Sequence, residues 1–252
     1  LRVSRRGAVA VVVLASPPVN ALGTALSAAL GAAVEAAAAD PAVRVLHLRS
    51  ELRSFCAGAD LAEMRERLGD PARVEAQVAA VRELQRLLAR IEALPLATLA
   101  EVGGAALGGG LELALACDLR VAAAEARVGL PEVGLGLVPG AGGTQRLTAL
   151  CGPAVARRLI LGAEVVGGAE AADLGLVHWA VPRAGLAAFA EGVADRLAAL
   201  PRAAVAEAKS CIAARADPAR DGFEEELAAT RRLLLHEPET RSRVEAFLAG
   251  RR

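Results

Sequence analysis

At 252 residues, 54% of them apolar and only 2% aromatic, the chain is long enough to bury one large core and too apolar to stay disordered. Its 29 basic and 29 acidic residues cancel, and both that balance and the scarcity of aromatic rings argue against a nucleic-acid binder. Cys56, Cys117, Cys151 and Cys211 stand far apart without a CxxC pair, which argues against a zinc site, a redox motif or a disulfide framework and fits small buried thiols.

In chain order, Ala8–Leu14 is a β-branched run and reads as a strand, and Ala21–Ala39 reads as an alanine-rich helix stopped by Asp40-Pro41. The basic residues before Ala8 imitate a secretion signal only weakly, because the apolar run is short and Pro17-Pro18 breaks it. No apolar segment reaches spanning length, so the expectation is a cytosolic protein without membrane contact. Val43–Leu48 alternates as a strand should. Pro71 opens a long helix at about 72–94, whose apolar face is Val74, Val78, Val81, Leu84, Leu88 and Ile91. A strand at Leu96–Val102 is followed by glycines, an apolar helix at about Gly109–Ala116, a break at Asp118 and a strand at Leu119–Ala123. Strands alternating with helices imply an α/β arrangement with parallel pairing. Beyond residue 143 helices are expected at 143–150, 153–161 and 169–173, then a strand at Gly175–Val181. Four more helices follow, at about 186–199, 202–214, 221–235 and 238–249. That tail is too short for an independent core and is expected to pack on the main body or on another subunit.

Two glutamates stand out. Glu112 is the lone charge in Val102–Cys117, and Glu132 lies in GLPEVGLGLVPGAGG. A carboxylate is costly to bury unless it is paired or used, and two of them beside glycine-rich loops suggest an acid/base pair aimed at one small molecule. Three segments frame them. Ser54–Leu61 (SFCAGADL) allows a ligand to approach the backbone, although Asp60 would equally serve as an ordinary N-cap. Gly103–Glu112 opens a helix with free N–H groups but matches neither a Walker loop nor GxGxxG. Pro131–Arg146 is a glycine loop running into a helix, which could cradle a phosphate or simply turn.

Taken together, FCAGADLAEM, residues 103–118 and PEVGLGLVPGAGGTQRL resemble the enoyl-CoA hydratase, or crotonase, superfamily. So do PPVNAL at 17–22, AADLGLVHWAV at 171–181 and EAFLAGRR at 245–252, so the resemblance covers essentially the whole chain in order. It implies an α/β fold with a crotonase-like ββα superhelical core at 1–190. Residues 191–252 would form a C-terminal helical region that builds a homotrimer or a dimer of trimers. It implies an oxyanion hole made by the N–H groups of Ala59 and Gly109, and catalytic glutamates at Glu112 and Glu132. The coenzyme A part of an acyl-CoA thioester would lie along Ala57, Gly58, Ala59, Asp60 and Leu61, and Gly140 would sit beside the catalytic water. No metal and no separate cofactor are expected, since coenzyme A belongs to the substrate.

The implied reaction is hydration of a 2-enoyl-CoA, with Glu112 as base toward water and Glu132 as proton donor. A double-bond isomerase of the same fold often keeps one glutamate, so two favour hydration; a non-catalytic or RNA-binding relative is the third reading. Several positions depart from the family pattern. Glu101 replaces a small apolar residue and reads as a third carboxylate near the site or, preferably, as a solvated strand end, and Gly103 replaces Asn or Asp. Gly250 stands where many relatives carry a lysine, with Arg251 and Arg252 as candidate substitutes. Lys209 is the only lysine, and the arginine bias that surrounds it carries no mechanistic weight. Cys56 lacks a partner that would mark a nucleophile, His47 falls in a strand, His178-Trp179 reads as packing, and Glu224–Glu226 reads as a solvated helix face.

Overall fold

A computed structural model describes residues 1–250; Arg251 and Arg252, the candidate lysine substitutes, lie outside the described residues. The chain runs β1 (Arg2–Arg6), β2 (Val9–Leu14), α1 (Thr24–Ala39), β3 (Val45–Ser50), α2 (Leu61–Arg65), α3 (Pro71–Glu92) and β4 (Ala97–Val102). It continues with β5 (Ala106–Leu107), α4 (Gly109–Leu115), β6 (Leu119–Ala123), β7 (Arg127–Gly129) and a 3-10 turn at Pro131–Leu135. Then come α5 (Gly143–Leu161), β8 (Val165–Gly167), α6 (Gly168–Asp173), β9 (Trp179–Val181) and α7 (Arg183–Ala198). The tail is α8 (Arg202–Ala214), α9 (Gly222–His236) and α10 (Pro238–Leu248).

Six strands form one sheet in the order β1-β2-β3-β4-β6-β9, parallel throughout except for the antiparallel β1–β2 edge. The predicted parallel α/β arrangement is therefore present. Every residue of β4 is buried, so both faces of the sheet are covered there, one of them by α7, which packs on β2, β3, β4 and β6. A second, three-stranded sheet, β5-β7-β8, stands beside the first. The isolated bridges Leu22–Ala59 and Cys56–Ala106 stitch the glycine-rich loops between the two layers. Burial of Leu46, Leu48, Leu99, Leu111 and Leu113 anchors this region, at roughly 1.5–3 kcal/mol for each side chain removed from water.

Several details differ from the sequence expectations. The basic N-terminal residues are not spare: RVSRR forms the edge strand β1, turned by Gly7 at φ 59° into β2. Helix α5, by contrast, is interrupted where expected: Gly152 has a non-helical φ of 79° just before Pro153, so two helices meet there, in keeping with the expected 143–150 and 153–161. The strand expected at Gly175–Val181 is only Trp179–Val181, since Gly175 takes φ 75° and keeps the preceding residues in a turn. On α3 the apolar stripe is covered only at its C-terminal end: Leu88 and Ile91 are buried, while Val74 and Val78 are 39% and 49% exposed.

Glu101 is not a solvated strand end. It is 7% exposed next to the last residue of β4, and its Oε2 lies 3.0 Å from His47 Nε2 on β3, an approach not aligned as a hydrogen bond. The expectation failed because β4 continues to Val102 and is covered on both faces, so no end of it reaches water at residue 101. Trp179 packs on Phe189 with ring centroids 5.9 Å apart, as a packing residue should. Burial pushes the Cys56 and Cys117 thiols up to about 12, which makes both inert at neutral pH.

The tail is held to the sheet by cations. Arg44 donates to Leu200 O at 2.9 Å and pairs with Glu239 at 3.1 Å. Arg202 donates to Ala38 O and Asp40 O at 2.8 and 2.6 Å. Lys209 reaches Leu96 O at 2.9 Å and Asp118 at 2.8 Å. No helix of the described residues is long and apolar enough to cross a membrane, and among them no His/Cys/Asp/Glu cluster is arranged to hold a metal.

Candidate active site

The site begins with the loop from β2 to α1. Asn20, fully buried at φ 55°, accepts from Ser16 N at 2.7 Å and donates to Ser50 Oγ at 2.8 Å and Phe55 O at 2.9 Å. It thereby pins the end of β3 and the segment leading to Ala57. The Ala57 N–H bonds Val19 O at 3.0 Å and the Leu22 N–H bonds Gly58 O at 2.8 Å, which fixes how the 57–59 turn is presented. The Ala59 N–H itself donates no hydrogen bond among the described residues.

A second free amide faces the first. Helix α4 starts at Gly109, whose N–H, like every first-turn donor, has no intrahelical acceptor. A Cβ built on Gly109 would lie 3.6 Å from Ala59 N, so the two backbone segments are in contact distance of each other. Two glycines make this approach possible. Gly108 takes φ 52°, and a Cβ there would come within 2.7 Å of Glu132 Oε1. A Cβ on Gly110 would overlap Cys56 O at 1.9 Å. Of the other predicted positions, Gly58 is buried, Ala57 half-buried and Leu61 55% exposed at the rim. Asp60 does what the plainer reading expected: its Oδ1 caps α2 by accepting from Ala62 N and Glu63 N at 2.9 and 3.1 Å.

One turn into α4 comes Glu112, 2% exposed. Its Oε1 accepts from Gly143 N at 2.7 Å, at the start of α5. Burial raises its pKa, opposed by the Gly143 and Ala141 amides and by the Arg146 charge. Glu132 is different. It sits in the 3-10 turn, partly open to solvent, and its buried Oε2 has no partner among the described residues. Burial pushes its pKa up to about 7, opposed by a hydrogen bond from its own backbone amide and helped by the Glu112 charge. Glu112, with the Gly143 amide and the Arg146 charge beside it, is the better suited of the two to hold negative charge; Glu132, whose buried Oε2 has no partner, is the better suited to hold a proton. Gly140 lies on the loop that leads from the Glu132 turn to Gly143, the residue bonded to Glu112, and its carbonyl accepts from Gln85 Nε2 at 2.6 Å.

The structure thus brings together Glu112, Glu132, Ala59, Gly109 and the 57–61 and 140–143 loops. Three supporting residues escaped the sequence reading. Asn20 and Gln85 act across long stretches of sequence on backbone groups. Arg146, noticed only as part of a loop, donates to Ala141 O at 2.9 Å and pairs with Glu92 at 3.0 Å, fixing the Glu112-binding loop to α3. A charge in an otherwise polar helical turn gave no sign of that task.

A family model described as enoyl-CoA hydratase/isomerase matches residues 4–249. The mouse enoyl-CoA hydratase domain-containing protein 2, mitochondrial, is 47% identical over 190 residues, 74% of this chain and 62% of that protein. A probable enoyl-CoA hydratase of Bacillus subtilis is 44% identical over 169 residues, 67% of this chain and 64% of its own length. The chain therefore spans a little under two thirds of these curated relatives. The crystal structure of an enoyl-CoA hydratase subunit from Geobacillus kaustophilus superposes with a TM-score of 0.90 at 38% identity, covering 100% of this chain and 95% of that one.

Proposed function

The chain belongs to the enoyl-CoA hydratase/isomerase family, and from that premise we propose that it adds water to a 2-enoyl-CoA to give the 3-hydroxyacyl-CoA. The observation that carries the reading is the asymmetry of two neighbouring carboxyls, one hydrogen-bonded by Gly143 and one with an unpartnered buried oxygen, beside two free amides. In this reading the thioester carbonyl sits between Ala59 N–H and Gly109 N–H. As the β-carbon is attacked, charge flows onto that oxygen, and each fixed donor supplies roughly 3–4 kcal/mol. Glu112 takes a proton from water, the resulting oxygen bonds the β-carbon, and Glu132 delivers its proton to the α-carbon. The C=C bond is lost, and H and OH are gained across it. Because the carboxyls interact, their titration belongs to the pair. Coenzyme A lies along Ala57–Leu61, with Gly140 next to the attacking water, and neither a metal nor a further cofactor takes part.

The test is hydration of crotonyl-CoA, followed by loss of the conjugated enoyl absorbance. Glu112→Gln and Glu132→Gln are each expected to lose at least about a hundredfold in kcat. Near-normal turnover by both would overturn the reading. Isomerisation is the second reading, and two glutamates in one site favour hydration over it. Conversion of a 3-enoyl-CoA without formation of 3-hydroxyacyl product would reverse that preference. The reaction is placed in the cytosol, and the protein is proposed to assemble as a trimer or dimer of trimers through the exposed apolar face of α9 and α10. A monomer at micromolar concentration in sizing chromatography would count against the assembly.

A further inference from the structure

Helix α3 faces the loop that carries the amide bonded to Glu112, and it does so with one row of side chains. Val81, Gln85 and Glu92 are spaced by four and seven residues, which puts them on one face of a helix. Val81 would lie 3.2 Å from a Cβ on Gly140, so helix and loop are in close contact. Gln85 Nε2 donates to Gly140 O at 2.6 Å, and Glu92 pairs with Arg146 at 3.0 Å. Arg146 in turn donates to Ala141 O at 2.9 Å. Successive loop carbonyls, at Gly140 and Ala141, are thus held, the first directly from α3 and the second through Arg146. The C-terminal half of α3 can bear this because Leu87, Leu88 and Ile91 are buried in the core.

A trans peptide is planar, with its C=O and N–H pointing in opposite directions. Gly140 O is directed at Gln85 on α3, so the N–H of the same peptide unit, that of Ala141, is directed away from α3. Ala141 is 3% exposed, and its N–H has no acceptor of normal hydrogen-bond geometry among the described residues. A buried amide is costly to leave without a group to serve. The group served here is Glu112: the Ala141 amide, like that of Gly143, favours the ionised carboxylate against the effect of burial. Amides two residues apart that act on one carboxylate form a small anion-binding concavity. Gly140 has no side chain to fix the plane between itself and Ala141, so the orientation of that plane depends on what holds the carbonyl.

We propose that Gln85 is a positioning residue for the reaction: by holding Gly140 O it keeps the Ala141 N–H turned toward Glu112, and so keeps that carboxylate ready to take a proton from water. This rests on the hydratase reading above and deepens it. Gln85 acts through a backbone peptide and not through contact with the reacting atoms. The side-chain amide matters for this task. A carboxylate at position 85 has the same shape but only accepts, so it would repel Gly140 O and favour rotation of the peptide plane. An apolar side chain would leave the carbonyl to water, a weaker and less directional hold.

The experiment measures crotonyl-CoA hydration against pH in the wild type, Gln85→Leu and Gln85→Glu. In parallel, the carboxyl of Glu112 is titrated by infrared difference spectroscopy without substrate, with Glu112→Gln identifying its band. Gln85 is exposed, so neither substitution disturbs the core. The turnover number kcat is expected to fall about threefold in Gln85→Leu and at least about tenfold in Gln85→Glu, with KM changed by less than about twofold. The acid limb of kcat/KM, which reports the base of the free enzyme, should move to higher pH, by about half a unit in Gln85→Leu and further in Gln85→Glu. The sign follows because an N–H facing a carboxylate favours its ionised form, and losing it raises the pKa. Gln85→Leu changes no charge, so its shift cannot come from a new Coulomb field, and mere loosening of the fold would lower the active fraction without moving the limb. The infrared titration should shift in the same order. An unmoved limb and an unmoved Glu112 band in Gln85→Glu would overturn the proposal and leave hydration intact. A limb that moved without the band would overturn it as well, since another group would then set the limb. A wild type without turnover would remove the hydratase reading. The infrared arm would then decide Gln85 alone, an upward shift supporting its hold on Glu112 and an unchanged titration overturning it.

Discussion

Strands β3 and β4 keep Leu46, Leu48, Leu99 and Ala100 at 1% exposure or less, whereas α9 and α10 leave Phe223, Leu227, Leu234, Leu235, Phe247 and Leu248 between 63% and 81% exposed. Both regions are rich in large apolar side chains. The sheet is buried on both faces and closes its own core; the tail meets the sheet mainly through Arg44, Arg202 and Lys209 and leaves its apolar face outward. Apolar content alone thus does not tell where a segment's partner lies. The proposed active site sits entirely on the self-sufficient side, on α4, the 131–143 loop and the Ala57–Ala59 turn. An exposed patch of this kind is typical of an interface, which is why the tail is proposed to serve association rather than chemistry.

The comparison breaks first at its strong end. Leu99→Ala empties part of the closed core and is expected to cost about 2–5 kcal/mol in denaturant unfolding; a loss below about 1 kcal/mol would mean that the sheet is packed no better than the tail. Lys209→Met removes a clamp but leaves Asp118 with Thr98 N and Oγ1 at 2.7 and 2.8 Å. A cost of about 1–3 kcal/mol is expected, with earlier proteolysis confined to residues beyond 200. The pH dependence of Glu132 comes next. Its folded pKa of about 7 lies above the ordinary 4.5, so its stabilising protonation is complete below about pH 4.5 and is lost as pH rises through 7. Because the carboxyl is partly open to water, the wild type should lose only on the order of 1–2 kcal/mol between pH 5 and 8, and Glu132→Gln should not lose it. Parallel pH–stability curves for the two proteins would refute the raised pKa. Phe247→Ala should be smallest, below about 0.5 kcal/mol for a dissociated chain, yet it should shift association in sedimentation velocity.

Long elements were legible because periodicity and punctuation agree with their tertiary setting: β6 is Leu119–Ala123 as expected, and α8 is Arg202–Ala214 against an expected 202–214. The strands β5, β7 and β8 were not, because two or three residues carry no period and are defined only by distant partners. Glu112 and Glu132 were legible because charge in apolar company needs a reason. Glu101 met the same criterion and was misread, since its partner His47 lies 54 positions earlier and only the β3–β4 pairing brings them together. Asn20 and Arg146 were silent for the same reason: each works by holding a backbone segment that the sequence places far away.

The Lys209 clamp has a practical corollary. The sequence contains a single lysine, and its side chain is 15% exposed where it bridges α8 to Asp118. The molecule therefore offers one ε-amino group to acylating reagents, and that group is shielded for as long as the tail stays seated. The rate of modification at this one position is a built-in chemical clock for undocking of α8, readable by mass spectrometry without a fluorophore or an engineered label.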